Sequence, residues 1–144
     1  MDTYLLTKQL VVNPRNIIKI GTIISVYLLE IKNQIKIFHW QTKGYAEHKT
    51  LDTLFDLLTK YNDRWVETFM GKYGRIQLTK HTKTLKLVNL SSDMCINMYL
   101  TQIVEILNNY RNKYFSDSSD SDLSNIFDEI IADINRAKYL LSLK

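Results

Sequence analysis

Six residues within one stretch, His39, His48, Asp52, Asp56, Asp63 and Glu67, have side chains that bind cations or move protons. On a helix, the five from His48 to Glu67 fall within one sector of about 100°. His48 and Asp52 stand at i and i+4, as do Asp63 and Glu67, so the members of each pair can reach one ion. Asp52 and Asp63 lie about 16 Å apart along a helix axis, too far for short side chains of one helix to share an ion. Two copies of that helix packed antiparallel about a twofold axis would bring His48 and Asp52 of one chain to Asp63 and Glu67 of the other. His39, on the preceding helix just before a glycine-bearing turn, completes the first half. Such a set suits ferrous iron, with manganese or zinc as competitors, and iron so held can pass electrons to oxygen or peroxide. Imidazole is a poor calcium ligand, which disfavours that ion.

Long helices must position these groups. One proline and four glycines leave few breaks in 144 residues. Asn13 caps and Pro14 opens a first helix whose apolar residues, from Ile17 through Ile24, Ile31 and Ile35 to Phe38, recur every three or four positions. His39 follows Ile35 by four residues and so falls on the buried side. After Lys43-Gly44, a second helix is expected from Tyr45 to Met70, ending at Gly71. Ser91-Ser92-Asp93 is expected to cap a third helix carrying Ile96, Ile103 and Leu107. The polar segment Ser116 to Asp122 launches a fourth, with Leu123, Ile130, Ile134 and Leu141 facing inward. Residues 71–90 form a connector, with a short helical turn expected at Leu85 to Val88. The reading is all-α: one four-helix domain over residues 1–144, residues 1–13 an N-terminal extension, and the first two helices antiparallel neighbours.

Composition limits the remaining options. With 45% hydrophobic and 24% charged residues, the chain is that of an ordinary globular protein. No basic start precedes a long apolar run, and no apolar stretch approaches the ~20 residues of a membrane helix, so a cytoplasmic protein without membrane partners is expected. A single cysteine, Cys95, excludes an internal disulfide framework and is expected as a small buried thiol. The net charge of +4 is unevenly placed. Between Lys72 and Lys86 lie Lys72, Arg75, Lys80, Lys83 and Lys86 with no acid, a segment able to touch phosphate or an acidic partner or to serve as a solvated connector. Asp117 to Asp133 carries only acids. Trp40 and Trp65 are expected to pack, and Tyr45, Tyr61 and His81 receive no functional role.

The stretch HWQTKGYAEHKTLDTLFDLLTKYNDRWVE resembles the core of the DNA-protecting mini-ferritins (Dps family). That family has a His-Trp pair closing its first helix, a glycine-containing turn, then His, Asp, Asp and Glu on the second. Here His39-Trp40 matches the opening pair, and His48, Asp52, Asp63 and Glu67 match the later intervals without a gap. The resemblance implies a ferritin-like up-down-down-up bundle with a long connection between helices two and three. It also implies a ferroxidase centre with His39, His48 and Asp52 from one subunit and Asp63 and Glu67 from its twofold mate. Fe(II) would be oxidised there with peroxide or oxygen, for iron storage or protection from oxidative damage, and the family assembles as a dodecamer. The short turn looks most like related proteins of phages and large DNA viruses, which would place the protein in a host cytoplasm or a virion. The turn between His39 and His48 is shorter than in typical members. The segment before Pro14 carries one lysine, Lys8, and so lacks the lysine-rich tail that some members use to hold DNA.

Other readings stay beside this one. A classical di-iron centre inside one bundle needs a carboxylate three residues before a histidine, and the residues three before His39, His48 and His81 are Lys36, Tyr45 and Leu78. That centre is excluded. A structural or nucleic-acid-associated oligomer with a degenerate metal site is the main alternative, and a zinc-stabilised dimer without redox chemistry is a third.

Overall fold

The computed structural model describes residues 14–143, and all regular structure among them is helical. Helix α1 spans Pro14–Gln41 and α2 spans Tyr45–Tyr73. Helix α3 spans Ile96–Tyr114, and a 3-10 turn at Ser118–Asp120 leads into α4, Ser121–Ser142. The four pack together: α1 against α2, α2 against α4, α4 against α3, and α3 more lightly against α1. The apolar stripes meet in one core. Ile24, Leu28, Ile31, Ile35 and Phe38 of α1 are fully buried, as are Leu51, Trp65 and Phe69 of α2, and each other helix contributes its own period of leucines and isoleucines. Asn13 and the N-terminal extension lie outside the described residues.

Rings fill the end of the core away from the first turn. Trp65 stacks on Phe69 at 5.4 Å between centroids and meets Phe115 edge-on at 5.6 Å. Gly21 of α1 passes so close that a Cβ there would lie 2.1 Å from the Phe69 ring. Only glycine admits this approach.

Several local expectations are corrected. Helix α2 continues through Gly71 and stops at Gly74, whose φ of +114° carries the chain out of the helix while its N-H donates to Met70 O. The cap of α3 is not the Ser91 to Asp93 run. Ser91 Oγ accepts from the N-H groups of Asp93 and Met94 to form a separate turn, and Cys95 Sγ accepts from Met98 N at 3.4 Å. Cys95 is therefore an exposed cap rather than a buried thiol. Trp40 is 69% exposed and does not pack, whereas Trp65 is fully buried as expected.

Leu85 to Val88 is not helical either, and the reason is tertiary. Side chains along α1 hold the connector extended. Thr22 Oγ1 accepts from Gln77 N, and Glu30 Oε1 accepts from Lys86 N. The fully buried Gln34 donates to Val88 O at 2.8 Å and accepts from Val88 N at 2.7 Å. Gln41 does the same for Asn89 Oδ1 and Leu90 N. A helical turn would have to break these bonds and strand a buried amide. Among the described residues, no helix is long and apolar enough to cross a membrane.

Candidate metal centre

The cluster is built by the turn between α1 and α2. Thr42 N-H donates to Phe38 O and His48 N-H to Gly44 O, so the last turn of one helix and the first of the next are closed by three intervening residues. Thr42 Oγ1 donates to Glu47 Oε2 and accepts from Gly44 N-H, which fixes the crossing. His39 is 8% exposed, and its ring stacks on that of His48 at 3.8 Å between centroids and 19° between planes.

The two imidazoles are locked reciprocally. His39 Nδ1 lies 2.7 Å from His48 O, and His48 Nδ1 lies 2.9 Å from His39 O. A carbonyl only accepts, so both Nδ1 atoms carry the proton, and in the neutral rings both Nε2 atoms keep a free lone pair. Metal-binding histidines are commonly oriented in this way, through a backbone carbonyl on the other ring nitrogen.

Asp52 stands one turn beyond His48, with its Oδ1 3.9 Å from His39 Nε2. Lys36 Nζ donates to the same oxygen at 3.2 Å. That hydrogen bond is the main reason the Asp52 carboxyl titrates below the usual aspartate value, with the charge of Lys36 assisting. Donors at about 2.1 Å from a common ion lie roughly 3.0 to 3.4 Å from each other. The 3.9 Å separation is thus slightly open, and a small rotation of the half-exposed Asp52 closes it. Among the described residues of the single chain, no three His, Cys, Asp or Glu side chains are grouped to hold a metal ion.

The chain brings the His39 ring against that of His48 on one side and near Asp52 on the other, and leaves Asp63 and Glu67 elsewhere. Both of the latter are exposed on the far half of α2. Asp63 rims a groove floored by the buried Asn62 and walled by Val26, Leu29, Val66 and Leu78. Asp56 is exposed on the same helix.

Lys36 is the residue that sequence reasoning missed. Its position three before His39 on one face of α1 was the available signal.

In the connector, Arg75, Lys80, Lys83 and Lys86 are exposed, but Lys72 is engaged inside the fold by Asp120 and Asp122, at 3.2 and 2.9 Å. Among the described residues, the basic segment thus offers four side chains outside ion pairs rather than five. His81 is exposed in the same loop.

Fold and cluster together define an all-helical protein with a preorganised pair of imidazoles beside a carboxylate. Residues 39–141 match a family described as a family of unknown function (DUF5856), and the chain belongs to it. The match begins at His39 and takes in the other four candidate ligands. Neither the comparison with curated proteins nor that with solved structures gives a match.

Proposed function

We propose that this protein is a mini-ferritin-like ferroxidase that takes Fe(II) as substrate at sites shared between two copies, with peroxide or oxygen as oxidant. The observation that carries this reading is the reciprocal histidine lock. It uses the Nδ1 of each ring and leaves both Nε2 atoms with a lone pair, that of His39 beside Asp52, which a purely structural imidazole stack does not require. Asp63 and Glu67, exposed at i and i+4 on the far half of α2, are the donors that a twofold mate would add. His39, His48 and Asp52 would hold the ion from one side and Asp63 and Glu67 from the other. Peroxide or oxygen would then take up the electrons given by iron.

The connector supports a ferritin-like order of helices. Its bonds to Thr22, Glu30, Gln34 and Gln41 follow one another along α1, so the chain returns to the end where α2 began before α3 starts. This is the long crossing that an up-down-down-up bundle needs.

The test is anaerobic Fe(II) titration followed by peroxide, on the wild type, His48→Ala, Asp63→Ala and an equimolar mixture of the two variants. Both variants should lose saturable binding and rapid oxidation, and the mixture should recover part of each, since a heterodimer regains one intact site. Undiminished oxidation in both variants would overturn the reading.

A second reading, phosphate or nucleic-acid contact, rests on Arg75, Lys80, Lys83 and Lys86, which form no ion pair among the described residues. Binding through them would weaken steeply with salt, and a salt-independent or absent interaction with DNA would remove it.

A further inference from the structure

The candidate centre already holds a cation. Lys36 Nζ sits 3.2 Å from Asp52 Oδ1, the oxygen that faces His39 Nε2 at 3.9 Å. Lys36 and His39 lie three residues apart on α1, so the ammonium and the imidazole approach one carboxylate from the same side. Nζ also lies 4.2 Å from the centroid of the Phe55 ring, on the α2 turn after Asp52. The side chain of Lys36 is only 24% exposed, so the ammonium is laid into the groove between the helices rather than extended into solvent.

We propose that Lys36 is a built-in competitor for the metal: a tethered monovalent cation seated on Asp52 that a divalent ion must displace. This rests on the reading of the cluster as a metal centre. A carboxylate oxygen that accepts from an ammonium presents less of its charge to an incoming ion. An ion bound to that oxygen would also meet the lysine charge about 4 Å away. Entry of the ion and departure of Lys36 from Asp52 are therefore coupled. The Phe55 ring gives the ammonium a partner that it keeps after the carboxylate turns away. Lys36 is a positioning residue: it sets how readily the site fills without touching the electrons exchanged.

Cobalt(II), which is not oxidised by air in such sites and reports binding by its visible absorption, is the probe. Lys36→Met should bind Co(II) roughly three- to tenfold more tightly than wild type, because the competing pair and the like charge are both removed. Lys36→Arg, which keeps the charge, should stay within about twofold of wild type. A measurement on the unaltered chain accompanies these. Reductive methylation of Lys36, followed by mass spectrometry, should accelerate on Co(II) addition while that of Lys83 does not change. Equal Co(II) affinity in all three proteins, or methylation of Lys36 unaffected by bound Co(II), overturns the competitor role and leaves the metal centre standing. No Co(II) uptake by any of the three overturns the centre and this inference with it.

Discussion

The two ends of α2 each carry a polar cluster, built on opposite plans. At the Tyr73 end, Asp120 is 4% exposed, receives the hydroxyl of Tyr73 and lies 3.2 Å from the ammonium of Lys72, which also holds Asp122. A buried carboxylate with every strong partner supplied from within the chain joins α2 to the start of α4. At the His39 end, Asp52 is half exposed and takes Lys36, and each of the two imidazoles leaves its Nε2 without a hydrogen-bond partner among the described residues. Charge that is buried and saturated serves the fold. Charge that is oriented yet unsaturated is what a ligand can use.

Asp120→Ala should test this contrast most severely. It leaves the half-buried Tyr73 hydroxyl without its acceptor and takes from Lys72 one of its two carboxylates, and should lower the unfolding free energy by about 3 kcal/mol in urea titration. Asp52→Ala should leave the urea midpoint close to that of wild type and yet abolish Co(II) binding. Equal stability losses in the two variants would break the distinction.

The backbone repeats it on a smaller scale. Gly74 closes α2 at a positive φ that side chains rarely adopt, so Gly74→Ala should cost about 1 to 3 kcal/mol. Gly44, at the other end, has an ordinary extended conformation with φ of −96°. Gly44→Ala should stay within about 0.5 kcal/mol of wild type in the same titration.

The smallest effect is in acid. Partial burial is the largest single influence and acts to raise the Asp122 carboxyl, but the hydrogen bonds from Lys72 and from the Leu123 N-H, together with the lysine charge, outweigh it and the group titrates below its usual value. A carboxylate lowered in the folded state contributes stability above its unfolded pKa and loses it as pH falls through the folded one. Melting temperature should therefore fall further between about pH 4 and pH 2 in wild type than in Asp122→Asn. A parallel fall in both would show that the Lys72 contact is not felt.

Much of the architecture was legible in the sequence because long amphipathic periods report directly on burial. Ile35 and its stripe put His39 on the inner side, and the i to i+4 step from His48 to Asp52 survived intact. What escaped depended on contacts distant in sequence. Gly71 and Gly74 are equivalent punctuation on paper, and the chain turns at the second, whose place a Cβ would bring 3.5 Å from Ile18. Ser91 to Asp93 has better capping residues than Cys95, but Gln34 and Gln41 hold the preceding residues extended and delay the helix. Trp40 follows a buried histidine by one residue and therefore points about 100° away from it, into solvent. The stacking of His39 on His48 was hidden for a related reason: it needs the depth of the three-residue turn, which residue types alone do not give. Lys36 was visible only as a non-carboxylate, and its link to Asp52 required both helices.

The connector is moored at Gln77 and again from Lys86 to Leu90, and between these points Thr79 and Thr82 close a small turn of their own. Lys80 and Lys83 lie exposed on that span. The electrostatic character of this side of the molecule is thus a separable module. Lysines can be gained, lost or exchanged there, and residues inserted, without disturbing the helices or the histidine cluster. Any dealings with anionic partners can change from one relative to the next while the scaffold stays as it is.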